Sequence, residues 1–210
     1  MAEWRPLIGL NKETRMVRKG KFVFREGDPV EGIYFMYRGW VKIHKEWTHP
    51  KELIVRFAGT GEIFGHRGLV EKKEYPVSAT ALEDSVVCFV PEDFLESCLK
   101  ANPMLSYRLM QFYAAELQKA ERRMRDLVHM ETKGRLASVL LEMNGKFGTN
   151  REGYIAMPVS RQDIASYAGT TYETLFKLFN ELKNDKLIST SGKFIKLRNE
   201  TKLHHLLNMK

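Results

Sequence analysis

The stretch from Ser160 to Ser189, SRQDIASYAGTTYETLFKLFNELKNDKLIS, constrains the fold more than any other part of the chain. It reads as two helices joined by a tight turn. In the second helix Leu175, Leu178, Phe179 and Leu182 recur at i, i+3, i+4 and i+7, so at about 100° per residue they form one apolar stripe. Glu173, Phe176, Lys177 and Asn180 repeat that spacing on the opposite side. A core needs the first row, whereas folding requires no mixed row of acid, aromatic, base and amide. The second row has the character of a reading face.

The flanking residues agree. Ser160 with Asp163 caps the first helix in the manner of a capping box, with Asp where Glu or Gln is more usual. Ile164, Ala165 and Ala168 give that helix a small apolar side, and Gly169 ends it, since glycine takes the left-handed cap conformation without penalty. Thr170 with Glu173 restarts a helix, Thr171 being the alternative cap. This is a helix-turn-helix pattern, in which the second helix enters the major groove of DNA. The competing reading is an ordinary helical hairpin within a core.

The 210 residues suffice for one large domain or two modest ones. Apolar residues make up 43% of the chain but are broken everywhere by charges, and no run approaches the roughly 18 residues of a membrane span. Met1 to Leu10 lacks a signal-peptide core, so a cytoplasmic protein with no membrane association is expected. Net charge is +8. Residues 1–102 carry 16 basic and 15 acidic groups, residues 103–133 carry 6 and 4, and residues 134–210 carry 12 and 7. Positive charge therefore gathers in the segment that holds the two-helix pattern, as phosphate binding requires. The two cysteines, Cys88 and Cys98, have no spacing that suggests a metal, and are expected to be small buried side chains.

Residues 17–98 read as short strands separated by turns. KFVFR from Lys21 ends at Glu26-Gly27-Asp28-Pro29, a strong turn signal. Ile33 to Tyr37 and Trp40 to His44 suggest a hairpin turning on Gly39. Leu53 to Phe57, Gly61 to Phe64, Val77 to Ala81 and Val86 to Val90 follow at nearly regular spacing, which predicts an antiparallel barrel or jelly roll whose interior is a natural ligand pocket. PEDFLESCLKAN opens a short helix, and Pro103 begins a long one. In the long helix Met110, Tyr113, Leu117, Ala120, Met124 and Leu127 form a heptad seam with charged flanks, which predicts a parallel dimer; packing on its own barrel is the alternative. Glu131 to Gly134 interrupts the seam. A second amphipathic helix follows with Leu136, Val139, Leu140 and Met143, and then a hairpin is expected across Tyr154-Ile155-Ala156. Leu187 to Ser189 and Phe194 to Leu197, turning on Ser191-Gly192-Lys193, predict a wing with Lys193 placed to meet a phosphate.

The predicted fold is thus α+β: an N-terminal antiparallel β-roll, a long dimerisation helix and a C-terminal winged helix-turn-helix, divided as 1-102, 103-133 and 134-210. FREGDPVEGIYFMYRGWVKI, TGEIFG, KGRLASVLL, the two-helix stretch itself and SGKFIKL, in this order, resemble the Crp/Fnr superfamily of bacterial transcription regulators. The resemblance covers nearly the whole chain. It implies a DNA-binding homodimer controlled by a signal at the β-roll, with RNA polymerase a possible further partner. Tyr172, Glu173 and Lys177 stand where the family contacts bases, and Phe176 at a variable reading position. Arg161, Thr171, Asn180 and Lys193 complete the expected DNA face.

Glu173 can accept from a cytosine amino group, Lys177 can donate to guanine O6 and N7, and Phe176 can pack on a thymine methyl. Phe176 could instead cover the first helix. Lys177 replaces the arginine common in the family, so the preferred operator should differ from the family's best-known sites.

The effector side departs from the pattern. The resemblance implies a pocket at Gly65, His66, Arg67, Tyr75, Ala120 and Glu121. His66 stands at the position of the family's ribose-binding glutamate, Tyr75-Pro76 replaces the arginine-serine pair for the cyclic phosphate, and Ala120 and Glu121 replace hydroxyl residues. A cyclic phosphate would lose its charge-assisted partners, so cyclic AMP is not the expected effector. His66, Arg67 and Lys72 leave the segment cationic, which suits an anion, although a plainly solvated loop histidine explains His66 equally well. A ligand-independent DNA binder of the same fold is the alternative reading; a cupin-like metal enzyme using His44, His49 and His66 is the rival class, but no tight H-x-H pair with a following acid supports it. No cofactor or metal is assigned.

Overall fold

The computed structural model describes residues 13–48, 51–70 and 72–207. His49 lies outside them. The described chain separates into two compact units, one ending at Glu116 and one beginning at Leu117.

The first unit holds eight described strands: β1 (Glu13–Val17), β2 (Phe22–Phe24), β3 (Gly32–Arg38), β4 (Trp40–Thr48), β5 (Lys51–Gly59), β6 (Ile63–Phe64), β7 (Ser78–Ala81) and β8 (Ser85–Pro91). They form two antiparallel four-stranded sheets, ordered β1-β8-β3-β6 and β2-β7-β4-β5. This is the expected roll, with one correction. β3 and β4 are not a hairpin on Gly39: β3 pairs with β8 and β6, while β4 pairs with β5 and β7. Gly39 is the corner where the chain passes from one sheet to the other. Its φ of 100° and the collision that a Cβ would make with Ser85 both require glycine there. Strand β1 was not foreseen, because ETRMV carries little apolar alternation; it is held by its ladder to β8.

The interior of the roll is a packed aromatic stack. The Phe24 ring lies 4.0 Å from Tyr75 and 5.4 Å from Tyr34, and Tyr34 lies 5.4 Å from Phe64 and 5.1 Å from Phe89. Val41, Ala58, Ala79 and Val87 complete the core around it. On β4, buried His44 places Nδ1 2.6 Å from Glu52 Oε2 and Nε2 2.9 Å from Thr80 Oγ1. Burial pushes the Glu52 carboxyl up, and hydrogen bonds and charge from His44 and Lys42 more than reverse this, holding it at about 2. Cys88 and Cys98 are both buried free thiols, as expected.

Helix α1 (Glu92–Ala101) follows, and α2 (Pro103–His129) crosses from the first unit into the second. The second unit continues with α3 (Thr132–Phe147), α4 (Arg161–Ala168), α5 (Tyr172–Asn184), the wing strands β9 (Ile188–Ser191) and β10 (Phe194–Leu197), and α6 (Glu200–Leu206). The interruption after α2 is shorter than expected: α3 resumes at Thr132, with Gly134 inside it against the Leu206 carbonyl. Leu136, Val139, Leu140 and Met143 are buried. Only an isolated bridge, Thr149 to Ile155, stands where a hairpin was expected. Helix α6, capped by Asn199, was not foreseen.

Candidate DNA interface and effector site

Helix α4 begins where Ser160 Oγ accepts from the Asp163 amide at 3.0 Å and donates to Asp163 Oδ2 at 2.6 Å. It ends at Gly169, which has φ 65°. Of the two candidate caps for α5, Thr171 is used: its Oγ1 accepts from the Thr174 amide at 3.2 Å. Arg135 on α3 fixes the turn between the helices, its guanidinium donating to the carbonyls of Ala168 at 3.1 Å and Gly169 at 3.4 Å.

The two faces of α5 separate as their spacing demanded. Leu175, Phe179 and Leu182 are buried and Leu178 is half-buried, whereas Tyr172, Glu173, Phe176, Lys177 and Asn180 are exposed. Phe176 is 58% exposed, so it does not serve as a cover for α4. The Glu173 carboxyl sits below its usual range, lowered by its own backbone amide and by Thr171 at the helix start.

Beside α5, the wing turns on Gly192 with φ 55° and leaves Lys193 exposed. Arg161 has a structural role. It donates to the carbonyls of Lys193 at 3.2 Å and Gly192 at 3.4 Å, and its guanidinium stacks 4.6 Å from the Phe179 ring centre. One side chain thereby ties the wing to the buried face of α5.

Along α2, Met110, Leu117 and Met124 are exposed, whereas Tyr113, Ala120 and Leu127 are half-buried. Tyr113 donates through its hydroxyl to the His66 carbonyl, and Leu127 packs at Gly169. The large exposed apolar residues of α2 are Met104, Tyr107, Met110, Leu117, Met124 and Val128, and Ala114 is exposed between Met110 and Leu117. From Tyr107 to Val128 they follow a 3-4 spacing interrupted at Glu121, a heptad seam rotated from the expected one and sharing Met110, Leu117 and Met124 with it.

The residues expected around an effector divide. Gly65 faces the aromatic stack, and Tyr75 is part of it, its hydroxyl donating to the Gly32 carbonyl at 2.7 Å. Both belong to a packed core that includes Phe24, Tyr34, Phe64 and Phe89. His66 and Arg67 lie instead in a short 3-10 turn against the middle of α2, near Arg56 and Glu116. Ala120 and Glu121 belong to the second unit. His66 is 2% exposed, so it is not a solvated loop residue. Sequence reasoning missed Arg56 and Glu116. The signal was available in Leu105, Leu109, Phe112 and Glu116, spaced i, i+4, i+7 and i+11 on one face of α2.

Comparison with known proteins accounts for this architecture. Residues 14–102 match the cyclic nucleotide-binding domain, and residues 134–206 match the Crp-like helix-turn-helix domain. The anaerobic regulatory protein of Bacillus subtilis is 30% identical over 186 residues, covering 86% of this chain and 78% of that protein. The chain belongs to the Crp/Fnr family of transcription regulators. The transcriptional activator protein Anr of Pseudomonas aeruginosa is 29% identical over 91% of this chain and 79% of its own length. FixK2 from Bradyrhizobium japonicum has the same fold, with a TM-score of 0.84 and 29% identity over 96% of this chain and all of that one. Membership places the protein among regulators rather than enzymes. Among the described residues no helix is long and apolar enough to cross a membrane, and no group of three or more His, Cys, Asp or Glu side chains is arranged to hold a metal ion.

Proposed function

We propose that this Crp/Fnr regulator binds a two-fold symmetric operator as a homodimer and responds to an effector other than cyclic AMP. Residues 1-102 act as the sensor, 103-133 as the dimerisation helix and 134-210 as the DNA-binding domain. One observation carries the reading: α5 buries its leucine and phenylalanine stripe and turns Tyr172, Glu173, Phe176, Lys177 and Asn180 outward. Glu173 and Lys177 supply the acceptor and donor that major-groove edges of cytosine and guanine require, and Tyr172 and Phe176 supply apolar contact. Asn180 and Lys193 meet the phosphate backbone, while Arg161 contributes by holding the wing. The exposed seam on α2 pairs with its copy, setting two recognition helices about 34 Å apart, one turn of DNA.

The burial of Tyr75 in the aromatic stack supports an effector other than a cyclic nucleotide, because no guanidinium stands at the Tyr75-Pro76 position and the Tyr75 hydroxyl is already given to the Gly32 carbonyl. The protein is expected to act in the cytoplasm, with RNA polymerase as a candidate partner at promoters. Selection of bound duplexes from a random pool tests the reading: a palindromic consensus is expected, and recovery of sequences with no shared motif would overturn it. Isothermal titration with cyclic AMP should give no binding in the micromolar range.

A further inference from the structure

A charged cluster where the roll meets the middle of α2 lies outside the proposed DNA-reading face. Arg56 Nη1 lies 3.3 Å and Arg67 Nη2 3.7 Å from the same oxygen, Oε2 of Glu116. Arg56 also donates to the Ile63 carbonyl. Glu116 occupies a buried position on the face of α2 that carries Leu105 and Leu109, so a site fit for an apolar side chain holds a carboxylate. Taking a charge out of water is tolerated only where partners compensate it. Here two guanidiniums answer one carboxylate.

His66 adds the second observation. Its side chain is buried, Phe112 and Tyr113 close on it edge-on with ring centres at 4.9 and 5.4 Å, and neither ring nitrogen has a hydrogen-bond partner. Burial, then Arg56 and Arg67, push this imidazole down to about 3 against the opposing pull of Glu116, so at neutral pH it offers one donor and one acceptor. Buried polar atoms left without protein partners are rare and call for one from outside the chain, a ligand, an ion or water.

We propose that Arg56, Arg67 and His66 form a binding site for a small aliphatic carboxylate anion, and that Glu116 is the built-in carboxylate which that anion displaces. The ligand is a carboxylate because the guanidiniums already converge on one. His66 donates to its second oxygen or to a neighbouring polar group. Release of Glu116 removes an ion-pair hold of the roll on α2, the helix that carries the exposed seam. The inference rests on the reading of the first unit as a sensor.

Isothermal titration of the full chain with succinate tests it, using wild type, Glu116→Gln, Arg67→Gln and the double variant, with inorganic phosphate as the comparison anion. Removing the competing carboxylate should tighten succinate binding about tenfold or more, and loss of Arg67, whose side chain is 30% exposed, should weaken it by a similar factor in either background. Equal succinate affinity in wild type and Glu116→Gln, no binding to either, or tighter binding of phosphate than of succinate would each overturn the site. Should Glu116→Gln melt as an unfolded chain, the comparison of wild type with Arg67→Gln decides alone. Operator binding is measured on the same samples. Folded protein that binds its operator but not succinate refutes only this site, whereas folded protein that binds no operator with or without succinate refutes the proposed operator-binding function itself.

Discussion

Lys177 is exposed on α5 one turn after Glu173, and its ammonium can reach guanine O6 and N7 as a point charge. Lys177→Ala should therefore weaken binding to the selected operator by about 1–3 kcal/mol and leave binding to random duplex much less affected. Equal losses on both, in fluorescence anisotropy at fixed salt, would assign Lys177 to phosphate alone. His66 makes a prediction about acid. Its folded pKa of about 3 lies below the ordinary value of 6.5, so the unfolded chain takes up the proton first. Stability should fall as pH drops through 6.5 and continue to fall until about 3, by at most about 1.4 kcal/mol per pH unit. His66→Gln should flatten that slope in urea melts. Glu52 acts in a lower window. Its carboxyl is depressed from 4.5 to about 2, so its contribution is complete above 4.5 and is lost as pH falls through 2. Glu52→Gln should abolish this second loss, which is read by circular dichroism between pH 4.5 and 2.

At the scale of elements, the helix-turn-helix depends on one backbone conformation and one cap. Gly169 has positive φ, and a Cβ there would collide with Leu127. Thr171 satisfies the first turn of α5. Gly169→Ala should cost about 1–2 kcal/mol for the left-handed conformation, with the collision in addition, and Thr171→Ala about 1 kcal/mol. Urea denaturation followed at the second unit's transition measures both. These elements were legible because their causes are local: an i, i+3, i+4, i+7 stripe, a serine three residues before an aspartate, a glycine where the helix stops. The Gly39 corner was not legible. Alternation on either side of a glycine is shared by a hairpin and by a passage between sheets, and only the pairing of β3 with β8 and of β4 with β7 separates them. The choice between Thr170 and Thr171 likewise awaited the geometry of the turn.

For the whole molecule, the proposed dimer rests on the exposed seam of α2. Leu117 and Met124 are 60% and 58% exposed in the single chain, more apolar surface than a helix presents to water without cause. The double variant Leu117→Glu, Met124→Glu should sediment as a monomer. Its operator affinity should drop on the order of 100-fold, since each half-site is then bound without the linked second contact. An unchanged dimer would place the interface elsewhere. Tyr113 and Leu127 carry the expected heptad spacing but are spent inside their own chain, at the His66 carbonyl and at Gly169. Periodicity identifies a helix face within about one position, and the neighbours that compete for that face fix the register.

By itself the sequence determined the order of roll, long helix and winged helix-turn-helix, and the outward polar row on α5, because helical period, caps and turn glycines act over a few residues. Tertiary structure alone decided three further matters. It filled the roll with Phe24, Tyr34, Phe64 and Tyr75, it set the wing on Arg161, and it brought Arg56, Arg67 and Glu116 to one oxygen. Arg56 and Glu116 are 60 residues apart along the chain. No local spacing encodes such a meeting, since it depends on which sheet β5 joins and which face of α2 is turned inward.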